Sequence, residues 1–294
     1  MDYRGDLTVL KGLSDYRTRT AIVVMGGGMS CVVSLGVLVA LVVARLTKFR
    51  RAVGVSGGAC NIAGLMSGNI DQVFGVFEHL ARTGCITMRW TNWWGWQMSF
   101  DRDKLMRILS EMLDVEAIKN DPRRFFTVAT RVDGSGKFLD GNAHPLDAIR
   151  ATVSIQGACD PVTIDGEVLG DGMPGFKIPD AMRKVRAKQV IFVTNRYPVE
   201  QRWWFEQLIT PHLYRLALAS ETQAVRQAAI DTDMVFEKHV DRIVCCKRIR
   251  ALHIFPGAGD PDLTSSTSDV AQLKIGFNRA REGALRLIDK ALAA

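Results

Sequence analysis

The chain has 294 residues, 47% hydrophobic and 23% charged, with a formal charge of +7. That composition excludes a disordered tail, a collagen-like fibre and a disulfide-stapled mini-domain, and it supports a sizeable buried core. The basic excess is mild: it suits a soluble enzyme or a peripheral protein meeting an anionic membrane, and it does not call for nucleic acid.

The first twenty residues are charged and polar and lack the apolar stretch of a secretory signal. From Ala21 to Leu46 Arg45 is the single charge, so length alone would allow a membrane span. Gly26-Gly27-Gly28 breaks that stretch, which predicts instead a buried strand (AIVVM), a glycine loop and a buried apolar helix from Cys31 to Leu46. The pattern then repeats, with a strand at Ala52–Val55, a tight turn at Ser56–Gly58 and a small-residue helix at Ala59–Met66. Two such units in tandem predict a parallel sheet with helices on its faces.

Helical periodicity follows at Asp71–Arg82 and Asp101–Leu113. Between them WTNWWGWQMSF (residues 90–100) carries Trp90, Trp93, Trp94 and Trp96, read as core or pocket lining, with a lipid-facing lid as the alternative. Residues 125–133 read as a strand, GSGKFLDGNA as a hairpin region, Leu146–Ile155 as a helix and Gly157–Pro179 as a loop. A buried strand at Gln189–Thr194, a long helix from Phe205 to about Lys238, a strand at Ala251–Phe255 and a final helix capped by Ser268 complete the chain. No repeat or linker divides it, so residues 1–294 are expected to form one α/β domain. Its expected architecture is a three-layer sandwich, with a mostly parallel sheet between two layers of helices. The six cysteines show no CxxC pair and read as reduced thiols of a cytoplasmic protein.

Three short motifs carry chemistry. Gly54-Val55-Ser56-Gly57-Gly58 fits G-x-S-x-G and falls where a strand gives way to a helix. A sharp turn there holds a serine hydroxyl out at the carboxyl edge of the sheet, with the next helix pointing its positive end at the reacting centre. The bland alternative is a serine that merely caps a helix. Gly26, Gly27 and Gly28 can present backbone N–H groups to an anion, either a phosphate or an oxyanion. A dinucleotide fingerprint fails here, since Cys31 stands where the last glycine belongs and residues 45–51 supply no acid. Asp171-Gly172, in VLGDGMPGF, is on its own an ordinary turn.

In order and spacing the text VVMGGGMSCVVSLGVLVAL, VGVSGGACNIAGLMSG and ACDPVTIDGEVLGDGMPGFKIPDAM resembles the patatin-like phospholipase family over about residues 20–195. The resemblance implies a lipid acyl hydrolase without a cofactor or metal. Ser56 would be its nucleophile, Asp171 its sole general base, and the backbone of Gly26, Gly27 and Gly28 its oxyanion hole. Three departures stand out. Ser30 and Cys31 follow the glycine run where the family carries a basic residue and glycine. Gly57-Gly58 follows the elbow where the family has Ala-Gly, and Met173 ends the aspartate motif.

Rival readings remain. A late histidine (His212, His239 or His253) would make the chain an α/β-hydrolase esterase. The missing basic residue would suit a silent lipid- or membrane-binding protein on the same fold. The five histidines show no metal-binding spacing. The basic runs at residues 48–51, 183–188 and 247–250 read as solvated ends of elements, with a membrane-facing patch as the functional alternative. The expected partner is a lipid or other ester substrate, with no nucleic acid.

Overall fold

The computed structural model describes residues 1–84, 86–92, 95–198 and 218–294. The first half holds β1 (Asp2–Gly5), β2 (Thr20–Val24), α1 (Val32–Val43), β3 (Arg51–Val55), α2 (Gly57–Met66) and α3 (Ile70–Thr83). Next come β4 (Ile86–Asn92), β5 (Gly95–Phe100), α4 (Arg102–Met112), α5 (Val115–Asn120), β6 (Arg124–Arg131) and β7 (Gly136–Asp140). The second half holds α6 (Pro145–Thr152), β8 (Val162–Ile164), β9 (Glu167–Gly170), the single turn α7 (Gly172–Gly175), α8 (Ile178–Val185) and β10 (Gln189–Val193). It ends with α9 (Gln223–Val244), β11 (Arg250–Phe255) and α10 (Val270–Ala293).

Nine of these strands form one mixed sheet, in the order β1-β11-β10-β2-β3-β6-β9-β8 with β7 also on β6. Its centre is parallel: β11, β10, β2, β3 and β6 pair in one direction, while β1, β7, β8 and β9 join antiparallel. A parallel sheet must be covered on both faces, so its strands read as continuous apolar runs. In β2 all five residues are buried. Its side chains alternate between two cores. Ile22 and Val24 join Ala52, Phe125 and Ile191 beneath α1, α2, α3, α4 and α10, while Ala21 and Val23 join Val53, Phe126 and Phe192 beneath α8 and α9. The three layers expected from sequence are therefore present.

Helix α1 is apolar all round because it is enclosed on both sides. Val32 to Leu41 are buried. The sheet lies on one side of it and α10 crosses the other, so close at Gly36 that an added Cβ would stand 2.5 Å from the Phe277 carbonyl oxygen. Among the described residues no helix is long and apolar enough to cross a membrane.

Several boundaries differ from the sequence reading. The apolar helix starts at Val32, after a 3₁₀ turn over Gly28–Cys31, because Gly27 (φ 151°) and Gly28 (φ 56°) take backbone conformations a helix cannot use. The elbow helix starts at Gly57, two residues early. The tryptophan-rich stretch forms part of the β4–β5 hairpin, a separate two-stranded sheet, whereas Trp93 and Trp94 lie outside the described residues. The stretch read as a loop contains β8, β9, α7 and the start of α8. The cap of α10 is Asp269 and not Ser268: its carboxylate accepts from the N–H groups of Ala271 (2.8 Å) and Gln272 (3.2 Å). Of the long helix expected from Phe205, residues 205–217 lie outside the described residues, and α9 runs on to Val244.

Candidate active site

The site assembles on β6. Strand β3 lies parallel to it with Val55 paired to Val128, and β9 lies antiparallel with Gly170 paired to Thr130. One residue beyond each pairing is Ser56 in one case and Asp171 in the other, so both arrive level with Ala129. The register of two strands on a third thus brings together side chains that are 115 positions apart in sequence.

Ser56 occupies φ 51°, ψ −132°, a conformation L-residues rarely adopt. Such strain persists only where the surroundings enforce it. Here they are crowded on every side. An added Cβ at Gly54 would lie 2.5 Å from the Ala59 Cα, and one at Gly58 would lie 2.5 Å from the Val24 carbonyl oxygen. The Ser56 N–H donates to Thr152 Oγ1 at 2.9 Å, and the Ser56 carbonyl accepts from the Ala59 N–H at 2.8 Å. The serine is 7% exposed, at the N-terminus of α2.

Asp171 is 4% exposed and held from all sides. Its N–H donates to the Ser154 carbonyl at 2.6 Å, and its carbonyl accepts from Thr130 Oγ1 (2.5 Å) and Gln156 Nε2 (2.9 Å). Carboxylate Oδ1 accepts from the Met173 N–H at 2.8 Å. Burial pushes the carboxyl up to about 6, against the smaller opposing effects of a hydrogen bond from Ser56 and that of Met173. The Ser56 contact is loose: Oδ2 has no partner of full hydrogen-bonding geometry among the described residues. Looseness of this kind is common in nucleophile–base pairs without substrate.

The glycine loop faces this pair. An added Cβ at Gly26 would come 2.8 Å from the Ser56 Cβ. Among the described residues the N–H groups of Gly26, Gly27 and Gly28 donate no hydrogen bond, whereas the next two do: Met29 N–H to the Ser265 carbonyl and Ser30 N–H to the Gly27 carbonyl, both at 3.1 Å. Three donors are left for an incoming anion. Ser30 and Cys31, which stand where a basic residue was expected, are both buried. Ser30 Oγ donates to the Gly27 carbonyl at 2.8 Å, and a Cβ added at Gly57 would lie 2.8 Å from the Cys31 Sγ.

The loop is tied down by Asn195, which sequence reasoning missed. Its Nδ2 donates to the carbonyls of Met25 (2.6 Å) and Gly26 (3.2 Å), and its Oδ1 accepts from the Ser34 N–H at 2.8 Å. The signal was available: Asn195 follows an apolar strand by two residues, at the carboxyl edge where α/β sheets bind ligands. Asn195→Ala is expected to lower kcat about 10-fold to 100-fold with little change in KM, since the loop loses its anchor while Ser56 stays in place. Steady-state kinetics on a soluble ester checks this, and an unchanged kcat would mean the loop is positioned without Asn195.

Beside Ser56 opens an apolar cavity of about 50 Å³. Val76, Phe77 and Leu80 of α3 and Leu105 and Leu109 of α4 line it together with Gly28 and Ser56. Cys60 also borders it, with burial pushing its thiol up to about 12.

The two late histidines among the described residues, His239 and His253, are not part of this arrangement. His253, on β11, is fully buried three strands away from β3, about 14 Å at normal strand spacing. Its Nε2 bonds Thr194 Oγ1 at 2.9 Å, and burial, with a smaller contribution from Arg4, pushes its pKa down to about 3. His239 is on α9, without a hydrogen bond to Ser56 or Asp171, and His212 lies outside the described residues. Among the described residues no three His, Cys, Asp or Glu side chains gather where they could hold a metal ion.

Comparison with known proteins follows the same lines. The patatin-like phospholipase family model matches residues 22–178, more than half of the chain. No curated protein sequence matches. Among solved structures, VipD from Legionella pneumophila aligns with a TM-score of 0.49 and 10% identity, over 93% of this chain and 67% of its own.

Proposed function

The chain belongs to the patatin-like phospholipase family, a family of lipid acyl hydrolases, and from that premise we propose that it cleaves lipid carboxylic esters with Ser56 as nucleophile and Asp171 as its only general base. The observation that carries this reading is the meeting of a strained serine with a buried carboxyl at one level of β6.

In this mechanism the apolar cavity between α3 and α4 receives the first carbons of the acyl chain, with the ester carbonyl at Ser56. The Ser56 hydroxyl attacks the carbonyl carbon while Asp171 takes its proton. A carboxyl with a pKa near 6 is ionised at neutral pH yet more basic than a free aspartate, which suits that transfer. The negative charge that develops on the carbonyl oxygen is accepted by the free N–H groups of the Gly26–Gly28 loop, each such donor being worth ~2.7–4 kcal/mol in comparable sites. Collapse expels the alcohol, which receives the proton from Asp171 and leaves an acyl-serine. Water then attacks the acyl-serine with Asp171 again as base, and the fatty acid departs as Ser56 regains its proton.

A fluorophosphonate probe tests the assignment. Labelling of the wild-type chain at Ser56, absent in Ser56→Ala and slowed in Asp171→Asn, supports it. A folded wild-type chain that resists the probe while binding liposomes would favour a lipid-binding protein without turnover, the reading left open by Ser30 and Cys31.

The cavity makes a further expectation concrete. Val76→Trp fills the space beside the nucleophile, so kcat/KM for long-chain p-nitrophenyl esters should fall about 10-fold to 100-fold, while that for the acetate ester stays within about threefold. An equal loss on both esters would place the acyl chain elsewhere.

A further inference from the structure

At the opposite edge of the sheet, where the parallel strands begin, lies a bowl of about 350 Å³ lined by Arg19, Arg50, Arg51, Arg124 and Arg186. In the sequence, residues 48–51 and 183–188 read as solvated ends of separate elements, with a membrane-facing patch as the alternative; the fold joins them to the starts of β2 and β6 in one concave surface.

The arrangement carries a cost. Arg51 and Arg124 are register partners on adjacent strands, and like charges directly opposite each other destabilise a sheet. Among the described residues Asp140 is the single carboxylate paired with any of the five arginines, bonding Arg124 at 2.8 Å. Arg51 is held in place by the carbonyls of Lys184 (3.1 Å) and Val185 (2.8 Å), which fixes its guanidinium without neutralising it. Burial first, then repulsion from Arg186, Arg124, Arg50 and Arg19, draws the pKa of Arg51 below its usual value. Guanidinium groups match phosphate oxygens in pairs, and a fixed cluster of them suits an anion with several phosphates better than one isolated charge.

We propose that this bowl binds a compact, soluble anion carrying two or more phosphate groups. A soluble ligand fits better than a lipid headgroup because of where the bowl lies. Arg51 and Ser56 sit at opposite ends of one extended strand, about 17 Å apart. A bilayer gripped at the bowl would meet the sheet edge away from the nucleophile. Binding here does not depend on the ester chemistry and is measured without it.

The test is calorimetric titration of the full chain with inorganic tripolyphosphate at physiological ionic strength, with monophosphate and phosphatidylinositol bisphosphate vesicles as parallel arms. The expected result is saturable one-to-one binding of tripolyphosphate, much weaker binding of monophosphate, and a rise in Tm as the ligand relieves the crowded charge. Arg19→Glu/Arg186→Glu changes two exposed side chains and should weaken binding at least about tenfold. Lys274→Glu/Arg286→Glu makes the same change of charge on the exposed face of α10 and should leave binding within about threefold. Equal weakening in both variants would reduce the effect to net charge and overturn the site. So would the absence of saturable binding in a wild-type chain with a normal thermal transition. Vesicle binding that tripolyphosphate does not compete for would overturn the soluble ligand and identify a membrane patch instead.

Discussion

Ser56→Ala is expected to lower ester turnover by on the order of 10⁴-fold or more, because removal of a nucleophile leaves only binding and oxyanion stabilisation. Its Tm should stay within about 2 °C of wild type, since alanine keeps the Cβ and the strained backbone. Ser56→Gly should be equally inactive but more stable than Ser56→Ala. Positive φ at a non-glycine residue costs on the order of 1–3 kcal/mol. Glycine removes that strain at an entropic cost in the unfolded chain of about 0.4–1 kcal/mol. A net gain of about 1 kcal/mol corresponds to a rise of roughly 2–4 °C in Tm for a chain this large. Thermal melts of the two variants decide it: a glycine variant less stable than the alanine variant would mean the elbow stores no strain. Residual turnover in either variant at wild-type level would remove Ser56 from the chemistry.

Asp171→Asn should lower kcat by about 10²-fold to 10⁴-fold, the usual worth of a positioned base. Wild-type kcat/KM should rise with pH through about 6 and then level, as the carboxyl loses its proton. Stability should follow the opposite course. The folded-state pKa of about 6 exceeds the ordinary value of 3.8, so the folded chain holds this proton more tightly than the unfolded one. The resulting stabilisation is fully present below the unfolded pKa and is lost as pH rises through the folded pKa. At neutral pH the ionised carboxyl therefore costs roughly 3 kcal/mol relative to its protonated form. Asparagine cannot ionise, and its Oδ1 can still accept from the Met173 N–H. The Tm of Asp171→Asn should thus pull ahead of wild type as the pH is raised from about 4 to about 8. A difference that stays constant across that range would show that Asp171 does not titrate as a buried carboxyl.

These two side chains differ in how openly the sequence displays them. The elbow is local: Gly54, Ser56 and Gly58 lie within five residues, and the backbone geometry that needs them is complete there. Asp171 is not local. Alone it reads as a turn, and it gains meaning only in order with the other motifs, because a short antiparallel contact of β9 with β6 places it. Strands β8 and β9 have three and four residues between glycines and aspartates, too few for periodicity to register. Strand β1 (DYRG) escaped notice because an edge strand can be polar. Thr130 and Thr152 were invisible as supports, since each is a small polar residue whose partner comes from a distant segment. The three layers were legible for the opposite reason: a parallel sheet covered on both faces leaves apolar runs that need no partner to be recognised.

The enclosure of α1 has a consequence for biosynthesis. Its outer side is covered by α10, whose first residue follows Val32 by about 240 positions. At ~5–20 residues per second the ribosome needs roughly 12–48 s to make that intervening chain. Before that interval ends the loop, the elbow and the aspartate motif have all been made, attached to an almost wholly apolar helix with one flank bare. A chain that ends before α10 is therefore expected to aggregate, because the apolar flank of α1 stays uncovered although every motif of the family has been translated.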